Sequence, residues 1–253
     1  MRNIFRKTLV ILFWLVIWYV IALLINNDLL FPGPIVVLSK LISMSISIGF
    51  WTSIIMSILR VVLGIVIALI TAVILSIVSY KFRIIHDFVS PLMKVARATP
   101  VASFIILIAL FIGASTVPSV ITIIMVFPII WQSVYDGLSH VDNDLKEVCI
   151  IYKLSFKKQL RVLYFPSILP QFSSAVITSI GLGWKAGIAA EILFPPVKSI
   201  GKAIYDSNWL LKTEELFAWT LVVILLSIGI EELVKVMIKA TSPKTKGGNY
   251  ENK

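Results

Sequence analysis

The sequence predicts an all-α, polytopic membrane protein with about six transmembrane helices and both termini in the cytoplasm. Of its 253 residues 58% are hydrophobic and only 14% are charged, and the mean hydropathy is +0.98. Soluble domains carry about 25% charged residues. Several apolar runs are long enough to cross a bilayer, and basic residues concentrate in the segments on one side of them.

The apolar runs place the predicted spans in order along the chain. The predicted spans are residues 8–25, 59–80, 98–113, 117–135, 172–193 and 216–234. The first follows Arg2 and Arg6, and at about 18 apolar residues without a small-residue cleavage site it is a retained helix rather than a signal peptide. Arg60 falls near the outer end of the second span, where its side chain can snorkel to the interface.

The third and fourth spans follow a basic segment that returns the chain to the inside. We expect its helix to continue through Ala98-Thr99-Pro100, with a kink at Pro100, into the apolar run 101–112. A turn at 113–116 leads into span four. Spans five and six follow a polar loop. A single transmembrane domain, residues 1–240, ends in a disordered cytoplasmic tail, residues 241–253.

The charge distribution supports this topology. Most of the 23 Lys and Arg residues fall on segments predicted inside, whereas Lys40, Lys198, Lys202 and Lys212 fall outside. The net charge of +10 therefore reflects orientation in a lipid bilayer, and no nucleic-acid partner is expected.

Motifs for bond chemistry are missing from the sequence. A single cysteine, Cys149, excludes an internal disulfide, and His86 and His140 stand apart from any metal-binding pattern. The sequence also lacks the Gly-x-x-x-x-Gly-Lys-Ser/Thr phosphate loop. We expect no enzyme activity, no metal and no cofactor in this chain, and ATP, if used, to be bound by a partner subunit.

A polar loop at residues 142–170 separates the fourth and fifth spans. Leu145, Val148, Ile151 and Tyr152 recur at helical spacing, which predicts a short amphipathic helix with Asp144 as N-cap. Ser155 can cap a second helix, and Pro166 and Pro170 should stop it. From the residues alone, a basic amphipathic loop that lies on anionic lipid is an equally good interpretation.

The fifth span contains a possible translocation path at Gly183, Trp184, Lys185 and Glu191. A charge in the middle of a bilayer costs about 3 kcal/mol, so Lys185 should face protein or water. Two interpretations remain open: Lys185 lines the path and meets an anionic substrate, or it pairs with a carboxylate or carbonyl for assembly. Glu191 is badly spaced for pairing with Lys185 and is expected to cap the outer end of the span.

Two segments resemble a known family. Glu147-Val148-Cys149, followed by Ile168-Leu169-Pro170, resembles the Glu-Ala-Ala loop in permease subunits of bacterial ABC importers. Lys153 stands at that family's glycine, where either a different turn or a continued helix is possible. Trp184-Lys185, with Ala189-Ala190-Glu191 and Ser199-Ile200-Gly201, is similar to the branch for nitrate, sulfonate, taurine and bicarbonate.

This resemblance implies a multi-pass permease subunit of the bacterial cytoplasmic membrane. Its implied partners are a separate ABC ATPase subunit, an extracytoplasmic solute-binding protein and a second copy of the chain. The residues it implies for coupling to the ATPase are Glu147, Val148, Cys149, Lys153, Leu154 and Pro170. Sulfonate, taurine, nitrate or a similar anion is the favoured solute, and a thiamine-precursor pyrimidine or another small solute is the alternative.

An ion-coupled carrier without an ATPase is the alternative of another class. Such a carrier should show several carboxylates inside its spans or an inverted repeat. The sequence shows neither feature. A membrane scaffold, a third possibility, would not need the loop that carries Glu147.

Overall fold

The computed structural model of the chain describes residues 2–241, and this part is helical. Eleven α-helices and one π-helical turn follow one another: α1 (Arg2–Ile25), α2 (Pro34–Ser45), α3 (Ile48–Lys81), α4 (Arg83–Ala98), α5 (Val101–Ala109), α6 (Val117–Ser139), α7 (Asn143–Ile151), α8 (Phe156–Gln159), the π-turn (Leu160–Tyr164), α9 (Phe165–Leu193), α10 (Ile200–Trp209) and α11 (Thr213–Thr241). The all-α fold class is confirmed.

The centre of the molecule is a layer of three long helices, with α6 packed between α3 and α9. Fully buried Val61, Val126 and Trp131 belong to the core between them. The approach is close because small residues lie at the contacts: a Cβ on Gly187 would come within 2.6 Å of Val61 Cγ2. Small residues at such contacts allow helices to pack tightly within a membrane.

The remaining helices cover this layer unevenly. Helices α10 and α11 pack against α9, and α2 packs against α11. Helix α1 touches little of the chain, because only 6% of its apolar segment Thr8–Ile25 is buried. It is held near its end by Trp18, whose indole N–H donates to the Pro32 carbonyl at 3.1 Å.

Four helices are long and apolar enough to cross a membrane. They are α1, α3, α6 and the continuous helix Lys157–Leu193, which joins α8, the π-turn and α9. Helices α4 and α5 together make a fifth if the bent pair counts as one span. The predicted sixth span, 216–234, lies within α11, which is not among these helices. The count of six spans and the side of the termini therefore remain predictions.

The expectation of one kinked helix over residues 98–113 is wrong. Helix α4 ends at Ala98, α5 runs only from Val101 to Ala109, and the two meet at 103°. Thr99 is extended, with ψ 133°, because the ring of Pro100 disfavours helical backbone in the preceding residue. Proline therefore breaks the helix here instead of bending it.

The expectation that Pro166 and Pro170 stop the second loop helix is also wrong. The π-turn precedes them, and in it the N–H of Phe165 donates to the carbonyl of Leu160, five residues earlier. A π-turn changes which carbonyls need a partner, so a proline without N–H fits directly after it. The helix then continues through both prolines to Leu193.

The predicted single domain covers nearly all of the described chain. The predicted disordered tail, 241–253, lies outside the described residues apart from Thr241.

Candidate functional site

The loop between α6 and α9 forms a separate small unit at one end of the bundle. Helix α7 begins after Asp142, whose side-chain oxygen accepts the Asp144 backbone N–H at 2.9 Å. Asp142, not Asp144, is therefore the N-cap, since Asp144 already lies within the first turn. The prediction was wrong by two residues because either aspartate fits the sequence pattern.

One face of α7 is buried and the other carries exposed apolar side chains. Cys149 packs with Val141 and Leu163 in a small cluster that fixes α7 on the π-turn. Val148, Ile151 and Tyr152, to one side of this contact, are 45%, 74% and 74% exposed. Together with half-exposed Leu145 these three residues make up what we call the exposed apolar face of α7.

A left-handed residue ends α7. Lys153 has φ 46°, and the N–H of Leu154 donates to the Cys149 carbonyl at 3.0 Å. The sequence left open a different turn or a continued helix, and the structure has a turn. Glycine suits this conformation because it has no Cβ, so Lys153 occupies a position that favours glycine.

The remaining loop residues do not form one contiguous site. Glu147 is exposed on α7 and, among the described residues, forms no salt bridge. Leu154 is half-buried against the Cys149 cluster. Pro170 is exposed inside α9, beyond the π-turn. Glu147 and Val148 thus belong to an outward surface, whereas Cys149 and Leu154 support it from beneath.

A polar stripe runs along the exposed side of α9. Gln171, Ser174, Thr178 and Lys185 recur at intervals of three, four and seven residues, and all four are exposed. This spacing places them on one side of a helix. The lower part of the stripe borders a cavity of about 690 Å³, here called the polar cavity, which is lined by Arg97, Ile129, Gln132, Ser133, Asp136, His140, Gln171, Ser174, Ala175 and Thr178.

Hydrogen bonds inside the polar cavity leave groups available to a solute. Gln132 donates its side-chain amide to Asp136 Oδ1 at 2.8 Å, and His140 Nδ1 lies 2.8 Å from the Asp136 carbonyl. The Ser133 hydroxyl, by contrast, is buried without a hydrogen-bond partner in the described part of the chain. Arg97 is the cation of the cavity and Asp136 its carboxylate. The cavity can therefore both donate and accept hydrogen bonds.

Of the residues predicted for a translocation path, Lys185 alone lies on the polar stripe. It lies seven residues beyond Thr178, about 10 Å further along the helix axis. Trp184 is buried, and its indole N–H donates to the Val223 carbonyl at 3.3 Å. Gly183 packs so closely on α6 that a Cβ would come within 2.8 Å of Val126. Trp184 and Gly183 are packing residues in this structure.

Glu191 does not cap the end of α9. Its side chain is fully buried and lies against the first turn of α10. Its Oε2 accepts a hydrogen bond from the Ser57 hydroxyl at 2.6 Å and another from the Gly201 N–H at 3.2 Å. Its Oε1 accepts from Arg60 Nη1 at 3.2 Å. A carboxylate at a helix N-terminus is favourable because the first N–H groups lack partners within the helix.

We expected the Arg60 side chain to snorkel to the interface, but it is held inside the protein. Besides Glu191 it donates to the backbone carbonyls of Val197, at 3.1 Å, and Lys198, at 3.3 Å. Ser57, Arg60, Glu191 and Gly201, here called the Glu191 network, thus join α3, α9 and α10. Spacing along one helix cannot indicate the partner of Glu191, because Arg60 lies 131 residues away on another helix.

The cavity residues from α4 and α6 were missed at the sequence level. Polar side chains recur at helical spacing within apolar runs, as Gln132 and Asp136 do on α6, and Gln171, Ser174 and Thr178 do on α9. That recurrence was an available signal. Which helices bring these side chains together depends on packing across the chain.

Several helices long and apolar enough to span, one of them with a polar stripe, are typical of a multi-pass membrane protein. The chain belongs to the family described as binding-protein-dependent transport system inner membrane component, whose profile matches residues 61–247. This confirms the resemblance to ABC importer permeases. Members are transport permease components, not enzymes.

Curated relatives are permeases for different solutes. The chain is 25% identical over 178 residues to the formylaminopyrimidine transport permease protein ThiX of Halalkalibacterium halodurans, an alignment that covers 70% of this chain and 71% of ThiX. It is 30% identical over 136 residues to the nitrate import permease protein NrtB of Synechocystis, covering 53% of this chain and 48% of NrtB. The chain thus spans about half the length of NrtB.

Solved structures support the same fold. An amino acid ABC transporter with histidines matches with a TM-score of 0.62 at 13% identity, covering 76% of this chain and 94% of that one. The MetNI methionine ABC transporter in an inward-facing conformation matches with a TM-score of 0.58 at 15% identity and the same coverage.

Proposed function

We propose that the chain is the transmembrane permease subunit of an ATP-driven ABC importer in a bacterial cytoplasmic membrane. ATP would be bound and hydrolysed by a separate ATPase subunit, and an extracytoplasmic solute-binding protein would deliver the solute. This chain would alternate between inward- and outward-facing states and perform no bond chemistry.

The exposed apolar face of α7 is the observation that carries this proposal. Ile151 and Tyr152 are about three-quarters exposed at the end of α7, a helix that is too polar to lie in hydrocarbon. An amphipathic helix with one exposed apolar face typically binds in a groove of a partner protein. The other face is fixed on the π-turn by Cys149, so movement of α7 would pass directly into the continuous helix that contains α9.

The polar stripe supports association with a second copy. Gln171, Ser174, Thr178 and Lys185 are exposed on a helix long and apolar enough to span. Polar side chains inside a membrane face protein or water rather than lipid. Two copies with their stripes toward a common axis would enclose a water-filled path.

A small anion such as a sulfonate, taurine or nitrate is our first candidate for the solute. Lys185 and Arg97 supply positive charge along the stripe and its cavity. A thiamine-precursor pyrimidine is the second candidate, because the alignment with ThiX covers 70% of this chain and the cavity has both donors and acceptors. Uptake of radiolabelled taurine, nitrate and formylaminopyrimidine into vesicles that contain the whole transporter distinguishes them.

The test of ATPase binding is a pair of charge reversals on α7. Glu147→Arg should abolish co-purification of an ATPase from native membranes, because it introduces a cation at the centre of the proposed contact. Asp144→Arg is the matched control, since Asp144 is an exposed acid on the same helix. If an ATPase is retained equally by both variants, or is absent from the unmodified chain, the loop is not a coupling loop.

A further inference from the structure

A second concave surface lies on the other side of α9 and α6 from the polar cavity. This apolar groove has a volume of about 430 Å³, and its lining residues include Ile77, Tyr80, Leu138, Leu160, Phe165 and Phe172. Apart from the hydroxyls of Tyr80 and Tyr164, its side chains offer no polar group. The transport function described above makes no use of it.

The apolar groove opens onto the outer surface of the spans. Ile77 is 50% exposed, Leu160 43% and Phe165 60%. They belong to α3 and to the helix Lys157–Leu193, both of which are long and apolar enough to cross a membrane. The phase in contact with this opening is therefore lipid.

Cations flank one end of the groove along the chain. Lys81 follows Tyr80 directly at the end of α3, and Arg161 follows Leu160 in the π-turn. Lys146 lies one turn before Cys149 on α7, and Tyr164 packs on the Cys149 cluster. None of these cations forms a salt bridge with a residue in the range 2–241, and Asp136, the nearest acid on α6, lines the opposite cavity.

We infer that the apolar groove binds one acyl chain of an anionic phospholipid, whose phosphate lies among Lys81, Arg161 and Lys146. Basic residues at the end of membrane helices attract anionic headgroups, each contributing about a fivefold preference near the surface.

The position of the groove gives the lipid a route to the coupling loop. Leu160 and Tyr164 line the groove and belong to the π-turn, which joins the loop to α9. Tyr164 also packs on the cluster that holds Cys149. A bound chain would therefore fill the space beside the segment that has to transmit movement of α7. The inference itself rests on membrane insertion and not on the proposed ATPase.

The experiment uses phosphatidylglycerol with a photoactivatable diazirine on its acyl chain. The full chain is reconstituted in phosphatidylcholine vesicles with a small fraction of this probe, and labelled peptides are identified by mass spectrometry. Peptides that contain Ile77 and residues 165–172 should be labelled more strongly than α1, which serves as an internal reference for general lipid contact. Excess unlabelled phosphatidylglycerol should suppress groove labelling while leaving α1 labelling unchanged.

Two pairs of variants sharpen the result. Ile77→Trp, which fills the groove, should abolish groove labelling, whereas Ile74→Trp, at a position 57% exposed one turn away, should leave it intact. Lys81→Gln should lower the preference for phosphatidylglycerol over phosphatidylcholine about fivefold, and Lys94→Gln should not change it.

Three results would overturn the inference. Groove peptides labelled no more than α1 would mean general lipid contact, and equal suppression by phosphatidylcholine would exclude recognition of the headgroup. Cross-links from a photoreactive residue at position 77 to a second copy of the chain would make the groove an interface between copies.

Discussion

The end of the bundle that carries Glu191 and the end that carries the loop between α6 and α9 satisfy their polar groups in different ways. At the Glu191 end, a fully buried carboxylate is surrounded by donors from α3 and α10. At the loop end, Glu147 and the exposed apolar face of α7 have no partner in the described chain, and the apolar groove borders the π-turn. The first arrangement resists deformation, and the second leaves surfaces available for binding.

The largest effect we expect comes from breaking the Glu191 network. Glu191→Ala leaves Arg60 partly buried without its counter-charge and removes the cap of α10, which should cost about 3–5 kcal/mol of stability. Thermal unfolding of the detergent-solubilised chain measures this. Glu147→Ala, at the loop end, should stay within about 0.5 kcal/mol because that side chain is exposed. Equal losses in both variants would contradict the difference between the two ends.

A smaller loss should follow from crowding the same end. A Cβ on Gly201 would collide with the Cβ and the backbone of Glu191, so Gly201→Ala should cost about 1–3 kcal/mol. Gly113→Ala is the matched control, because no atom lies within 4 Å of its added Cβ. If Gly201→Ala unfolds at the same temperature as Gly113→Ala, the contact between Gly201 and Glu191 is not a tight one.

At the loop end a substitution should stabilise the protein. Lys153→Gly relieves a left-handed backbone, which costs a residue with a Cβ about 1 kcal/mol, while glycine loses more entropy on folding. The expected net gain is about 0.5 kcal/mol. Hydrogen exchange of α7 amides should slow accordingly, and exchange in α10 serves as the reference. Faster exchange of α7 in the variant would mean that the lysine side chain itself holds the turn.

The smallest effect concerns a partly exposed group of ion pairs. Lys40 of α2 contacts Glu214 at 2.9 Å and Glu215 at 3.0 Å, and these hydrogen bonds raise the pKa of Lys40 above 10.5. Because the pKa is raised in the folded state, the charged lysine stabilises the fold fully below pH 10.5. This stabilisation is lost as the pH rises through the raised pKa. Lys40→Gln should therefore cost less than about 1 kcal/mol at pH 8, because the group is solvent-screened.

The pH dependence of that difference provides its check. The unfolding temperatures of the unmodified chain and of Lys40→Gln should converge once the pH exceeds the raised pKa, because Lys40 then loses its charge. A difference that persists unchanged at high pH would show that packing of the lysine chain, and not its charge, stabilises the contact.

Patterns within one helix predicted the fold class and the amphipathic nature of α7. Leu145, Val148, Ile151 and Tyr152 were correctly placed on one face, but the sequence does not say that this face points away from the chain, because outward orientation depends on where Cys149 packs. The partnership of Arg60 and Glu191 joins different helices, so no local spacing indicates it. Pro100 breaks its helix, whereas the helix continues through Pro166. The difference depends on structural context, because a π-turn precedes Pro166 and not Pro100.

The arrangement of α9 separates the polar stripe, which we propose faces the solute, from the side of the helix that packs in the core. Gln171, Ser174, Thr178 and Lys185 contribute little to the core, whereas Gly183, Trp184 and Gly187 on the same helix are packed on α6, α3 and α11. Substitutions on the stripe should therefore cost little in folding stability. Under the proposed function, a few changes on one helix could alter the solute that is accepted while the packed side of the same helix stays constant.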